Sequence, residues 1–131
     1  MRYSAAWDTT ELSIADARDA VRTLLTRAGH RPDDRPVQDA QLVVSELVTN
    51  ALRHAPGPGH LSLEVLPDAA ELRITVRDSC PEPPEPRAPN PLRIGGHGLI
   101  LVTRLCDRLR TVALDNGKQV VAHLRLGEAV N

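Results

Sequence analysis

Glu46, Asn50 and His54 recur every fourth residue in a stretch whose other positions include Val44, Leu47, Val48 and Ala51. On a helix this spacing places all three on one polar stripe opposite an apolar face. A carboxylate in that stripe can orient or deprotonate a nucleophile. An amide oxygen one turn away is a hard ligand suited to Mg²⁺. Asparagine is uncommon inside helices, because its side chain competes for backbone hydrogen bonds. A solvated helix face can carry the same residues, so the stripe alone leaves both readings open. A second polar position is Asp78, in phase with Leu72, Ile74 and Val76 on the inward side of a strand. A carboxylate there needs a partner, either backbone amides or a ligand amine such as that of adenine. The third piece is Gly95-Gly96-His97-Gly98, running directly into Leu99-Ile100-Leu101-Val102. Glycines permit close backbone approach, and the free amides of a helix start bind anions. The segment is neither a P-loop, since no Gly-Lys-Ser/Thr follows, nor a dinucleotide fingerprint, since it follows a long loop.

Positioning these groups requires seven elements of regular structure around them. Ile14, Ala17, Val21, Leu24, Leu25 and Ala28 recur at helical spacing, with Ser13 and Asp16 as an N-cap pair and Gly29 as the stop. A second helix is expected from near Pro36 to about Ala55, ended by Pro56-Gly57-Pro58-Gly59. Leu61, Leu63 and Val65 alternate, as do Leu72, Ile74 and Val76, which predicts two strands turned by Pro67-Asp68. A third helix should run from Leu99 to about Arg108. Asp115-Asn116-Gly117 then predicts a hairpin between strands near 109–114 and 118–126. Residues 1–10 could hold an edge strand. Helices and strands do not alternate in this order, which favours an α+β two-layer sandwich: a mixed, mostly antiparallel sheet with helices on one face.

Composition narrows the function classes. The chain of 131 residues is long enough for one domain, expected over 1–131. It has one Trp, one Tyr and no Phe, so the core must be aliphatic. A net charge of -1 provides no global field toward nucleic acid or an anionic membrane. Of sixteen basic residues only Lys118 is lysine. Cys80 and Cys106 lack C-x-x-C spacing and read as reduced thiols. No apolar run approaches membrane-span length, and Asp8 and Glu11 interrupt any signal-like start, so a cytoplasmic protein is expected. His54, His60, His97 and His123 include no i, i+4 pair, so a histidine zinc site is not expected.

The order of the three polar pieces resembles the GHKL ATP-binding superfamily, and within it the anti-sigma-factor serine/threonine kinases. Val43 to Ala55 is similar to that family's Asn-bearing helix motif. Asp78 falls where its adenine-reading aspartate stands, Gly96-His97-Gly98-Leu99 is similar to its glycine box, and Gly117-Lys118 resembles its final hairpin. The resemblance implies a residue-by-residue assignment. Asn50 would hold Mg²⁺ on the phosphates of ATP, Glu46 would be the general base, and Asp78 would accept from the adenine amine. Gly96 and Gly98 would line the phosphates, with Arg53, His97 and Leu99 completing the nucleotide-binding set and Arg93 a further phosphate contact by position and charge. The implied partners are an anti-anti-sigma protein, phosphorylated on serine, and a sigma factor, with homodimerisation a family expectation.

Two features depart from the family pattern. The family follows its aspartate with Asp-x-Gly, whereas this chain reads Asp78-Ser79-Cys80-Pro81. Cys80 adds a side chain and Pro81 removes a backbone donor. Residues 79–94, the expected ATP lid, contain prolines 81, 83, 84, 86, 89 and 91, which stiffen it toward extended conformations. The alternative these departures favour is a non-catalytic nucleotide-binding module that controls a transcription regulator.

Overall fold

The computed structural model describes residues 1–7, 13–54, 57–66, 70–79 and 96–127. The elements run β1 (Arg2–Trp7), α1 (Ile14–Arg27), α2 (Arg35–His54), β2 (Gly59–Leu66), β3 (Glu71–Asp78), α3 (Gly96–Leu105), β4 (Arg108–Leu114) and β5 (Gly117–Arg125). The five strands form one sheet in the order β1-β2-β3-β5-β4. Every neighbouring pair is antiparallel, so the mixed sheet allowed by the sequence resolves to an antiparallel one among the described strands. The Pro67-Asp68 turn, Cys80, Pro81, Arg93 and the Pro-rich segment beyond Ser79 lie outside the described residues.

Alternation decides which face of the sheet is covered. Leu61, Leu63 and Val65 of β2, Leu72, Ile74 and Val76 of β3, and Val120, Ala122 and Leu124 of β5 are buried in one cluster. That cluster also takes the apolar stripes of both long helices: Ala17, Val21, Leu24 and Leu25 from α1, and Val37, Ala40, Val43, Val44, Leu47, Val48 and Ala51 from α2. α2 packs against α1, α3, β3 and β5, which makes it the central helix of the layer. Burying these branched aliphatics drives the assembly, at about 1.5–3 kcal/mol for each fully buried side chain.

Local signals set the helix ends. Ser13 is extended, and its Oγ accepts from the backbone N–H of Asp16 at 3.0 Å. Ser13→Ala should therefore lower stability by about 1 kcal/mol, read as a shifted denaturant midpoint with an unchanged slope. Gly29 takes a φ of 100° just past α1, a left-handed conformation natural to glycine. α3 begins at Gly96, three residues before the expected Leu99, because a glycine-rich first turn carries no apolar periodicity to announce it. It ends at Leu105 instead of near Arg108, since the Asp107 N–H donates to the His123 carbonyl at 2.8 Å and starts the pairing of β4.

β1 is the edge strand that the first ten residues could hold, paired to β2 from Arg2↔Glu64 to Trp7↔Gly59. Glu64 bonds both Arg2, at 2.7 Å, and Arg73 of β3, stitching three strands on the outer face. The hydrogen bond from Arg2 is the main cause that holds the Glu64 carboxyl below the ordinary glutamate range. At the other end Cys106 is a free thiol. Burial, and secondarily the Asp107 carboxylate, push it up to about 12.

Candidate functional site

Glu46 and Asn50 are both half-buried on α2, one turn apart, where the helical spacing placed them. Their helix is locked to α1 at the adjacent residue. Ser45 is buried, donates to the Gln41 carbonyl at 2.7 Å and accepts from the Arg18 guanidinium at 3.2 Å. Gln41 in turn donates to the Arg18 carbonyl at 3.1 Å. Arg18 and Ser45 thus fix the rotation of α2, and with it the direction in which the polar stripe faces. Arg53 is exposed near the C-terminal end of the helix, and His54 is its last residue.

Asp78 ends β3 on the core side and is 6 % exposed, as its phase with Ile74 and Val76 required. Among the described residues, it pairs with a lysine. Lys118 Nζ lies 3.0 Å from Asp78 Oδ1 and 2.9 Å from Oδ2, and Lys118 itself is 5 % exposed. The two residues face each other across the β3–β5 ladder. Lys118 is the functional candidate to which sequence reasoning gave no role. The available signal was its being the one lysine among sixteen basic residues, at the first position after a hairpin turn.

Backbone packing holds this corner. A Cβ on Gly117 would fall inside the Asp78 carbonyl oxygen and 2.9 Å from Ser79 Cα, so the hairpin lies directly on the end of β3. Ser79 Oγ donates to the Pro58 carbonyl at 2.8 Å, and the Ser79 side chain also lies against Gly57. The segment leaving α2, the end of β3 and the start of β5 therefore meet in one place. Gly96, His97, Gly98 and Leu99 form the first turn of α3, which packs against α2. Its four leading amides lack intrahelical acceptors, as at any helix start.

Among the described residues no group of three or more His, Cys, Asp or Glu could enclose an ion. A single amide oxygen on α2 fits an ion that takes most of its ligands from phosphate and water.

This arrangement of helices over an antiparallel sheet is consistent with a histidine-kinase-like ATPase class of fold. The chain belongs to the histidine kinase-like ATPase domain family, whose model matches residues 6–124. Family membership supports ATP as its ligand. No curated protein matches the chain. Among solved structures, it is similar to the RsbU and RsbW domains of Rv1364c from Mycobacterium tuberculosis, with 18% identity and a TM-score of 0.72. That alignment covers 100% of this chain and 33% of the other, and it shows the shared fold. It is also similar to the histidine kinase domain of the Erythrobacter litoralis EL346 blue-light activated histidine kinase. There the identity is 25% and the TM-score 0.53, over 93% of this chain and 65% of that one. The chain thus spans a third of the first neighbour and just under two thirds of the second. Among the described residues no helix is long and apolar enough to cross a membrane.

Proposed function

We propose that this protein is an Mg-ATP-dependent serine/threonine kinase of the anti-sigma type, which phosphorylates an anti-anti-sigma partner on serine and binds a sigma factor. The observation that carries the reading is the packing of α2. The helix with Glu46 and Asn50 lies against the strand that ends in Asp78 and against the helix opened by the glycine box. The motif order of the sequence and the neighbour that contains an RsbW domain support the same branch.

The proposed division of labour follows from charge. Asp78 accepts from the adenine amine and fixes the base. Gly96 and Gly98 let the first-turn amides of α3 approach the phosphates, where the helix dipole favours negative charge. Arg53 and His97 add donors to the same oxygens, and Leu99 borders them. Asn50 would hold Mg²⁺, which would supply charge neutralisation for the transferred group. Glu46, one turn earlier, accepts the proton of the incoming serine hydroxyl. Phosphoryl transfer is mostly positioning and electrostatics, so this small set suffices.

The test is transfer of labelled γ-phosphate to a cognate partner, with Glu46→Gln beside wild type. A drop of about a hundredfold or more in the transfer rate, with ATP affinity little changed, is the expected result. Equal rates would remove the base role. Cys80-Pro81 after Asp78-Ser79 favours a second reading, a non-catalytic module in which nucleotide stabilises a partner-binding surface. Tight ATP binding with no phosphoserine on any partner that binds would decide for it.

A further inference from the structure

We propose that Lys118 is a second base-reading residue, whose ammonium donates to N1 of adenine while Asp78 accepts from the exocyclic amine. This deepens the nucleotide reading above and rests on it. Buried ion pairs are often no more stabilising than apolar residues of the same size, so stability alone is a weak account of this one. Its position is more informative. The pair sits where the end of β3, the start of β5 and the segment after α2 converge, and Ser79, the next residue of the chain, is exposed. The Watson–Crick edge of adenine presents a donor, its amine, beside an acceptor, N1. Asp78 and Lys118 present an acceptor beside a donor, directly opposite each other on adjacent strands.

The residue type fits the task. Fifteen of the sixteen basic residues are arginine, and the one lysine occupies this buried position. Arginine spreads five donors over a rigid planar fork, whereas an ammonium is a compact centre with three rotatable donors. Such a centre can serve a carboxylate and a ring nitrogen together. Nor is Lys118 a wandering surface side chain. Gly117 presses on the Asp78 backbone, which fixes the Cα of its neighbour opposite the carboxylate.

Calorimetry of the wild-type protein with four nucleotides separates the possibilities. 1-Deaza-ATP lacks N1 but keeps the amine, and purine riboside triphosphate keeps N1 but lacks the amine. We expect each to bind about tenfold to a hundredfold more weakly than ATP, the value of one hydrogen bond to a charged group. GTP, whose edge carries the opposite donor and acceptor order, should bind more weakly still. In Lys118→Met, ATP should fall to the level of 1-deaza-ATP and the two should become indistinguishable, while Lys118→Arg should retain part of the difference. Selective ¹⁵N,¹³C-lysine labelling gives one lysine spin system in the chain, and its ε-carbon should shift on adding ATP and much less on adding 1-deaza-ATP. Equal wild-type affinity for ATP and 1-deaza-ATP would overturn the Lys118 assignment, as would tighter binding of GTP. These comparisons need no variant, so poor folding of Lys118→Met does not block them. Tolerance of purine riboside triphosphate alone would instead remove the Asp78 role, and failure of wild type to bind ATP would overturn the nucleotide reading along with this one.

Discussion

Asn50→Ala is expected to weaken Mg-ATP binding by about a hundredfold or more while leaving the fold at least as stable as wild type. The two halves of this result have separate causes. Asn50 is half-buried in the interior of α2, and no hydrogen bond joins its side chain to another described residue. Alanine is the best helix former, and replacing asparagine in a helix interior gains a few tenths of a kcal/mol in propensity. Stability should therefore hold or rise slightly. Binding should collapse, because the amide oxygen is the protein's proposed hold on the ion that would accompany the phosphates. Calorimetric titration beside a thermal melt measures both. An affinity within about threefold of wild type would show that Asn50 does not hold the metal.

The second large effect is structural. Gly117→Ala should destabilise the protein by about 3 kcal/mol and lower the melting temperature by on the order of 10 °C. The new Cβ would collide with the carbonyl oxygen of Asp78 and lie 3.0 Å from its carbonyl carbon. Those are backbone atoms held in the β3–β5 ladder, so no side chain can rotate away. Relief would have to come from parting the two strands at Asp78↔Lys118, which breaks the buried ion pair as well. The variant should thus lose nucleotide affinity together with stability. Gly127→Ala is the control: it also has a positive φ, of 70°, but a Cβ there meets nothing within 4 Å. Its cost should be only the conformational one, about 1 kcal/mol. Equal melting temperatures for the two variants would show that the hairpin does not press on β3 as described.

Both expectations depend on features of very different visibility in the sequence. The stripe on α2 was plain because helical periodicity is local: Val37, Ala40, Val44, Leu47, Val48 and Ala51 are all buried, which leaves Glu46 and Asn50 at the margin. The depth of Asp78 was equally local, since alternation along one strand fixes its side. Lys118 was not legible in the same way. Its contact with Asp78 spans forty residues and depends on β5 inserting between β3 and β4, an order that no single segment encodes. The start of α3 was misplaced because glycine disfavours helix, whereas in the fold α3 packs against α2. The bonds from Arg18 and Gln41 that orient α2 were invisible for a simpler reason. Polar side chains on two helices carry no periodic mark of which ones will meet.

Trp7 closes β1 with 2 % exposure, its indole laid against Gly59, where a Cβ would also fall 2.8 Å from the Arg77 carbonyl oxygen. It is the only tryptophan in the chain. Tryptophan emission from this protein therefore comes from a single chromophore seated at the opposite edge of the sheet from the β4–β5 hairpin. A red shift reports that the edge strand has peeled away, whatever the state of the hairpin. Far-ultraviolet dichroism reports the helices. Comparing the two signals along one denaturation curve shows directly whether the two margins of the sheet come apart together or in turn.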